Sequence, residues 1–158
     1  MKTLKITKKD LDKDNFYKEK GIGNWDSFED VSVEIDECLG LVRFSNGIYV
    51  NGYILVKAGS GIKAGEGIKA GWGIEAGLSI KCKLSLNIAY RIFAGLALWK
   101  KSVKPEEKLI ECGRLESGEV CFGELKEIGL PNEKPEINLS GKKVKVELDG
   151  KSYTATID

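Results

Sequence analysis

Every sixth residue from Phe44 to Leu98 is apolar: Phe44, Val50, Val56, Ile62, Ile68, Ile74, Ile80, Leu86, Ile92 and Leu98. The repeat is plainest in Ile62-Lys63-Ala64-Gly65-Glu66-Gly67 and Ile68-Lys69-Ala70-Gly71-Trp72-Gly73. A fixed short period marks a solenoid, where one repeat cannot bury its apolar face alone and must stack on the next. Position one of each hexad is large and aliphatic, and position three is mostly small, as in Ala64, Ala70, Ala76 and Cys82. Position two is mostly polar (Lys57, Lys63, Lys69, Glu75, Lys81, Asn87, with Phe93 the exception). Strand side chains alternate between faces, so positions one and three should point inward and position two outward. Glycine at position four (Gly59, Gly65, Gly71, Gly77, Gly95) is expected to give the backbone freedom a corner needs. Three hexads make a coil of about eighteen residues. The expected interior columns are then Phe44-Ile62-Ile80-Leu98, Val50-Ile68-Leu86 and Val56-Ile74-Ile92.

The flanks read differently. Residues 1–36 form an N-terminal arm and strand. Thr7 is a candidate cap for a short helix starting Lys8-Lys9-Asp10-Leu11, Trp25 and Phe28 are anchors onto the body, and Val31, Val33 and Ile35 alternate as in a half-buried strand. Residues 37–128 are the β-solenoid. The repeat pauses over the charged stretch Lys100–Glu107 and resumes imperfectly in Ile110-Glu111-Cys112-Gly113 and Leu115-Glu116-Ser117-Gly118, with 120–128 as a degraded last coil. Residues 129–158 are a linker with Pro131 and Pro135, then a hairpin in which Asp149-Gly150 is a type I′ turn signal. That turn would pair Val146 with Tyr153 and Val144 with Ala155. The expected fold is mainly β, one compact unit.

Net charge and cysteine usage restrict function. The chain has 158 residues, 31% charged, and a formal net charge of +1, so it lacks the basic stripe of a committed nucleic-acid binder, and nucleic acid is kept only as a weaker alternative to a protein partner. The start, Met1-Lys2-Thr3-Leu4-Lys5, runs on without an apolar stretch, and the apolar run 88–99 is broken by Arg91. A cytoplasmic location is expected, with no membrane partner. Cys38, Cys82, Cys112 and Cys121 are dispersed, with no C-x-x-C pair, and Cys82 and Cys112 read as small buried apolar residues.

There is no histidine. The hexads resemble those of the left-handed β-helix acyltransferases and the related carbonic anhydrases, over roughly residues 44–98. Those enzymes need a histidine as general base or zinc ligand, so their activity carries over at no position, and Ser-His-Asp and Cys-His mechanisms fall with it. Glu66 and Glu75 are the carboxylates nearest to a pair, and read as solvated. The Gly-x-Gly runs lack the strand-turn-helix setting of a phosphate loop. No catalytic residue, metal ligand or cofactor is expected.

What remains is a binding surface. Residues 56–98 hold 6 basic and 2 acidic side chains, +4, the one marked imbalance. An eighteen-residue coil stacks Lys63 on Lys81, with Lys83 near, and like charges on a ladder invite an anionic partner. A solvated, salt-screened basic face is the other reading of the same lysines. The coil also aligns Ile54, Trp72 and Tyr90 near a corner, a column that terminal segments should cover unless a partner does. If there is a partner site, the expected residues are Trp72, Tyr90, Lys63, Lys81 and Lys83. The Gly-Ile-Lys-Ala-Gly unit and Gly118-Glu119-Val120-Cys121-Phe122-Gly123 resemble small hexad-repeat proteins of phages and mobile elements of Gram-positive bacteria. That resemblance implies a protein partner, as in an inhibitor of a host defence complex such as a CRISPR nuclease. Two other classes fit a solenoid: a self-assembling structural protein, and a small-molecule sponge with a pocket between subunits of a homo-oligomer.

Overall fold

A computed structural model describes residues 1–97 and 100–131, and the strands Lys143–Leu148 and Lys151–Thr156 by their backbone pairing. The fold is mainly β, built from parallel strands in curled sheets of the solenoid-like kind. The strands are β1 (Lys2–Ile6), β2 (Val31–Ile35), β3 (Gly40–Phe44), β4 (Ile48–Val50), β5 (Ile54–Val56), β6 (Ser60–Ala64), β7 (Ile68–Ala70), β8 (Ile74–Ala76), β9 (Ile80–Cys82) and β10 (Ser85–Ala94). After these come β11 (Leu109–Cys112), β12 (Arg114–Phe122), β13 (Glu124–Glu127), β14 (Lys143–Leu148) and β15 (Lys151–Thr156).

The chain visits three faces in turn. The first stacks β1, β2, β5, β8 and the C-terminal part of β10; the second stacks β3, β6, β9, β11 and β13; the third stacks β4, β7 and the N-terminal part of β10. Strand β10 runs through the corner between the third and first faces and pairs in parallel with β12 on its other side, joining them all into one eight-stranded sheet. Three-residue strands such as β7, β8 and β9 bury their outer two residues and turn the middle one outward, the alternation expected of positions one, two and three.

The columns are where sequence reasoning slipped. Ile62 pairs with Ile80, Ile68 with Leu86 and Ile74 with Ile92, each eighteen residues on. One coil earlier the partners are Val42 with Ile62, Ile48 with Ile68 and Ile54 with Ile74, each twenty residues on. Phe44, Val50 and Val56 therefore do not head the expected columns; they stack on Ala64, Ala70 and Ala76. The extra two residues lie between β5 and β6, where Gly59 has φ +72° and Ser60 is fully buried. The Ser60 hydroxyl donates to the Asp36 carbonyl at 2.7 Å and accepts from the Leu39 N–H at 2.9 Å, fastening this wider turn to the one beneath. An insertion of two preserves the side-chain alternation. Val42 and Phe44, Ile48 and Val50, and Ile54 and Val56 all still face inward, so the pattern cannot register the shift. Above, Ile80 is followed by Ile110, because 83–109 carries the long strand β10 and the charged excursion. Leu98 lies outside the described residues.

The arm is not a loose appendage. Strand β1 pairs in parallel with β2 from Lys2↔Val31 to Ile6↔Ile35. Single bridges Phe16↔Arg43, Ile22↔Ile48 and Glu29↔Val50 carry the arm beneath the second and third faces as an irregular lowest turn. The short helix is a 3-10 turn, Lys8–Asp10, closed by a Thr7–Asp10 capping box. Trp25 and Phe28 meet the body directly: the Lys69 ammonium lies 5.2 Å from the Trp25 ring centroid and 4.1 Å from that of Phe28, and Trp25 meets Tyr49 edge-on. The position-four glycines divide. Gly59 and Gly95 need positive φ, whereas Gly65 and Gly71 need room, because a Cβ would strike the carbonyl oxygen of Ser45 or Asn51 on the turn below. Strands β14 and β15 pair antiparallel with Val146↔Tyr153 and Val144↔Ala155, the expected register. The turn at Asp149-Gly150, and Pro135, lie outside the described residues.

Candidate binding surfaces

The corner where the third face turns into the first carries aromatic residues. Tyr90 N–H donates to the Trp72 carbonyl at 3.0 Å, and Trp72 N–H to the Gly52 carbonyl at 3.2 Å, so the two aromatics occupy successive turns in register. Beneath Trp72 stands Gly52, not the expected Ile54, which is buried and paired with Ile74. Tyr53 takes the place beside it. No described residue covers the column: Trp72 is 60% exposed and Tyr90 65%. Alongside runs the outward ladder of the first face, Glu34, Leu55, Glu75 and Phe93 in consecutive register. Between corner and ladder lies a shallow depression of about 380 Å³, its wall formed by Tyr53, Leu55, Trp72, Tyr90 and Phe93, with Glu75 and Arg91 as charged margins. A concave apolar wall with few polar groups is what a binding site needs.

The lysines are elsewhere. On the second face the outward ladder reads Arg43, Lys63, Lys81, Glu111, Lys126. Lys83 stands two residues past Lys81, and Arg43, Lys63 and Lys83 rim a depression of about 190 Å³ shared with Phe16 and Ser45. Lys63 to Trp72, and Lys81 to Tyr90, are nine residues apart, half a turn of the chain at the eighteen-residue offset. The expected single site of Trp72, Tyr90, Lys63, Lys81 and Lys83 is thus two surfaces, one on the third-to-first corner and one on the face across the body from it. Sequence reasoning also missed Tyr53, Leu55 and Phe93 at the corner and Arg43 in the basic ladder. Arg43 needs the twenty-residue offset to be found; Phe93 was visible as the one apolar residue at position two.

Nucleophilic and acid-base groups do not converge. Glu66 accepts a hydrogen bond from Gly47 N–H at 3.2 Å at one corner while Glu75 stands on the first face, so the two are not a pair. Cys82 and Cys112 stack in the interior and are free thiols; burial pushes Cys82 up to about 12 and Cys112 up to about 11. Cys38 and Cys121 are exposed. Glu116 accepts from the Ser85 hydroxyl and from Asn87 Nδ2, and the Ser85 bond holds its carboxyl below the usual range. Among the described residues no three His, Cys, Asp or Glu side chains gather as metal ligands, and no helix is long and apolar enough to cross a membrane.

Fold and surfaces define a parallel β protein of the solenoid-like class, with an exposed aromatic corner and a separate basic face. No family model, curated protein or solved structure matches the chain.

Proposed function

We propose that this is a non-catalytic protein-binding β-solenoid, with a coil of about eighteen residues and a partner that docks on the aromatic corner. The observation that carries the reading is the exposure of Trp72 and Tyr90 in register beside the apolar depression. Exposing two large aromatics over a concave apolar wall costs solubility and contributes nothing to the core, whereas such residues commonly dominate an interface. Within this reading the protein is a cytoplasmic inhibitor of a host defence complex, carried by a phage or mobile element; that part rests on the resemblance of its hexads. The scaffold suits such a role: a short stack of turns offers a rigid face without ordering cost on binding.

The test is inhibition of target cleavage by purified CRISPR nucleases, with Trp72→Ala and Tyr90→Ala beside the wild type. Inhibition by wild type and its loss by about 2 kcal/mol or more of affinity in variants with unchanged melting supports the reading. No inhibition of any complex, with no other protein bound through Trp72, would sink it. Filaments in light scattering would favour a self-assembling structural protein, and a small molecule retained in native mass spectrometry would favour a sponge.

A further inference from the structure

We infer that the second face is an independent docking surface for an acidic protein patch, on the opposite side of the body from the aromatic corner. Three cations, Arg43, Lys63 and Lys81, occupy successive strands in the outward position, and Lys83 flanks them. Parallel strands lie about 4.8 Å apart, so the three form a column about 10 Å long. Like charges in adjacent register repel, and four lysines elsewhere are each held by a glutamate. Lys57 meets Glu34 at 2.6 Å, Lys126 meets Glu111 at 3.3 Å, and Lys108 and Lys100 each hold a glutamate. Among the described residues no carboxylate lies within ion-pairing distance of Arg43, Lys63, Lys81 or Lys83. Arg43 is held instead by the Phe16 ring, 5.7 Å from its guanidinium carbon, at the rim of the depression it shares with Lys63 and Lys83.

The length of the column selects the partner. One strand beyond Lys81 the ladder reverses sign at Glu111, so a nucleic-acid backbone laid along it would soon meet a carboxylate. Two or three glutamates or aspartates spaced about 5 Å apart, as on one face of a partner's helix or across adjacent strands of its sheet, match the cations and stop where they stop. Three hydrogen-bonded strands present these side chains without ordering a loop.

The experiment is fluorescence anisotropy of a labelled oligoglutamate peptide and, separately, a labelled oligothymidylate of matched charge, at low and physiological salt. The proteins are wild type, Lys63→Glu/Lys81→Glu, Arg43→Glu and Trp72→Ala, each with a thermal melt. Salt-sensitive peptide binding by wild type and Trp72→Ala, weakened at least about tenfold in both second-face variants, is the expected result. Lys63→Glu alone alternates the signs of the ladder, so its melting temperature should hold or rise while binding falls, which a purely structural role for Lys63 would not produce. Absence of peptide binding by wild type at low salt overturns the inference, as does binding indifferent to the second-face variants. So does oligothymidylate binding tighter than the peptide and lost in the same variants, which would make the face a nucleic-acid surface. Loss of peptide binding in Trp72→Ala alone would place the site at the corner and overturn the inference, whereas loss of nuclease inhibition in Trp72→Ala alone bears on the corner and leaves this face intact.

Discussion

Truncating Ile68 to alanine separates the inward from the outward positions of one three-residue strand. Ile68 is fully buried, paired below with Ile48 and above with Leu86. The change removes three carbons, about 2.4 kcal/mol of transfer free energy at about 0.8 per methylene. Neighbouring strands are tied to each other by their ladders and cannot close fully on the void, which brings the expected loss to about 3–4 kcal/mol. Against a typical total of about 5–15 kcal/mol, that is a large shift in a urea melt followed by circular dichroism, with the slope unchanged. The next residue is the internal comparison. Lys69 points outward, but its ammonium lies over Phe28 and Trp25, so Lys69→Ala should cost about 1 kcal/mol by loosening the arm. Lys81 is outward with a like-charged neighbour, and Lys81→Ala should change stability by less than about 0.5 kcal/mol. The reasoning is refuted if Ile68→Ala costs no more than Lys81→Ala, or if Lys69 and Lys81 prove equivalent.

A thiol reagent at mild alkaline pH should label Cys38 and Cys121 in the folded protein and reach Cys82 and Cys112 only after unfolding; four rapid thiols would contradict their burial. Because burial raises Cys82 to about 12 and Cys112 to about 11 from 9.0, their contribution to stability is complete below pH 9 and is lost as pH climbs toward those values. Melting temperature should therefore fall on that alkaline limb, less steeply in a Cys82→Ala variant. Gly65→Ala should destabilise by more than the roughly 1 kcal/mol that helix or strand propensity could offset, since its Cβ meets the Ser45 carbonyl; an unchanged melt would show that the turns can separate. Ser60→Ala leaves the Leu39 N–H and Asp36 carbonyl without their partner and should cost about 1–3 kcal/mol, read by the same melt.

The sequence by itself determined the direction of nearly every side chain between Val31 and Ala94. Alternation within a strand and glycine between strands are local properties, written in residue type, and they survive any error in counting. The hairpin register was equally local: the Asp149-Gly150 signal in the sequence implies its own flanking pairs, and Val146↔Tyr153 and Val144↔Ala155 are the ones observed. Tertiary structure alone decided which turn lies on which. The two extra residues between Val56 and Ile62 change the stacking partner of every apolar side chain below them without changing its direction, so no hydrophobic pattern can reveal them. The arm was illegible for a related reason: Phe16, Ile22 and Glu29 each make a single bridge to the turn above, and one bridge at a time leaves no period to detect. The surfaces follow the same division. That Lys63 and Lys81 point outward was in the sequence; that they face away from Trp72 and Tyr90 follows from half a turn of chain between them. That Arg43 joins them, and that the corner lies open beside Tyr53 and Phe93, depended on stacking across turns, which only the folded chain supplies.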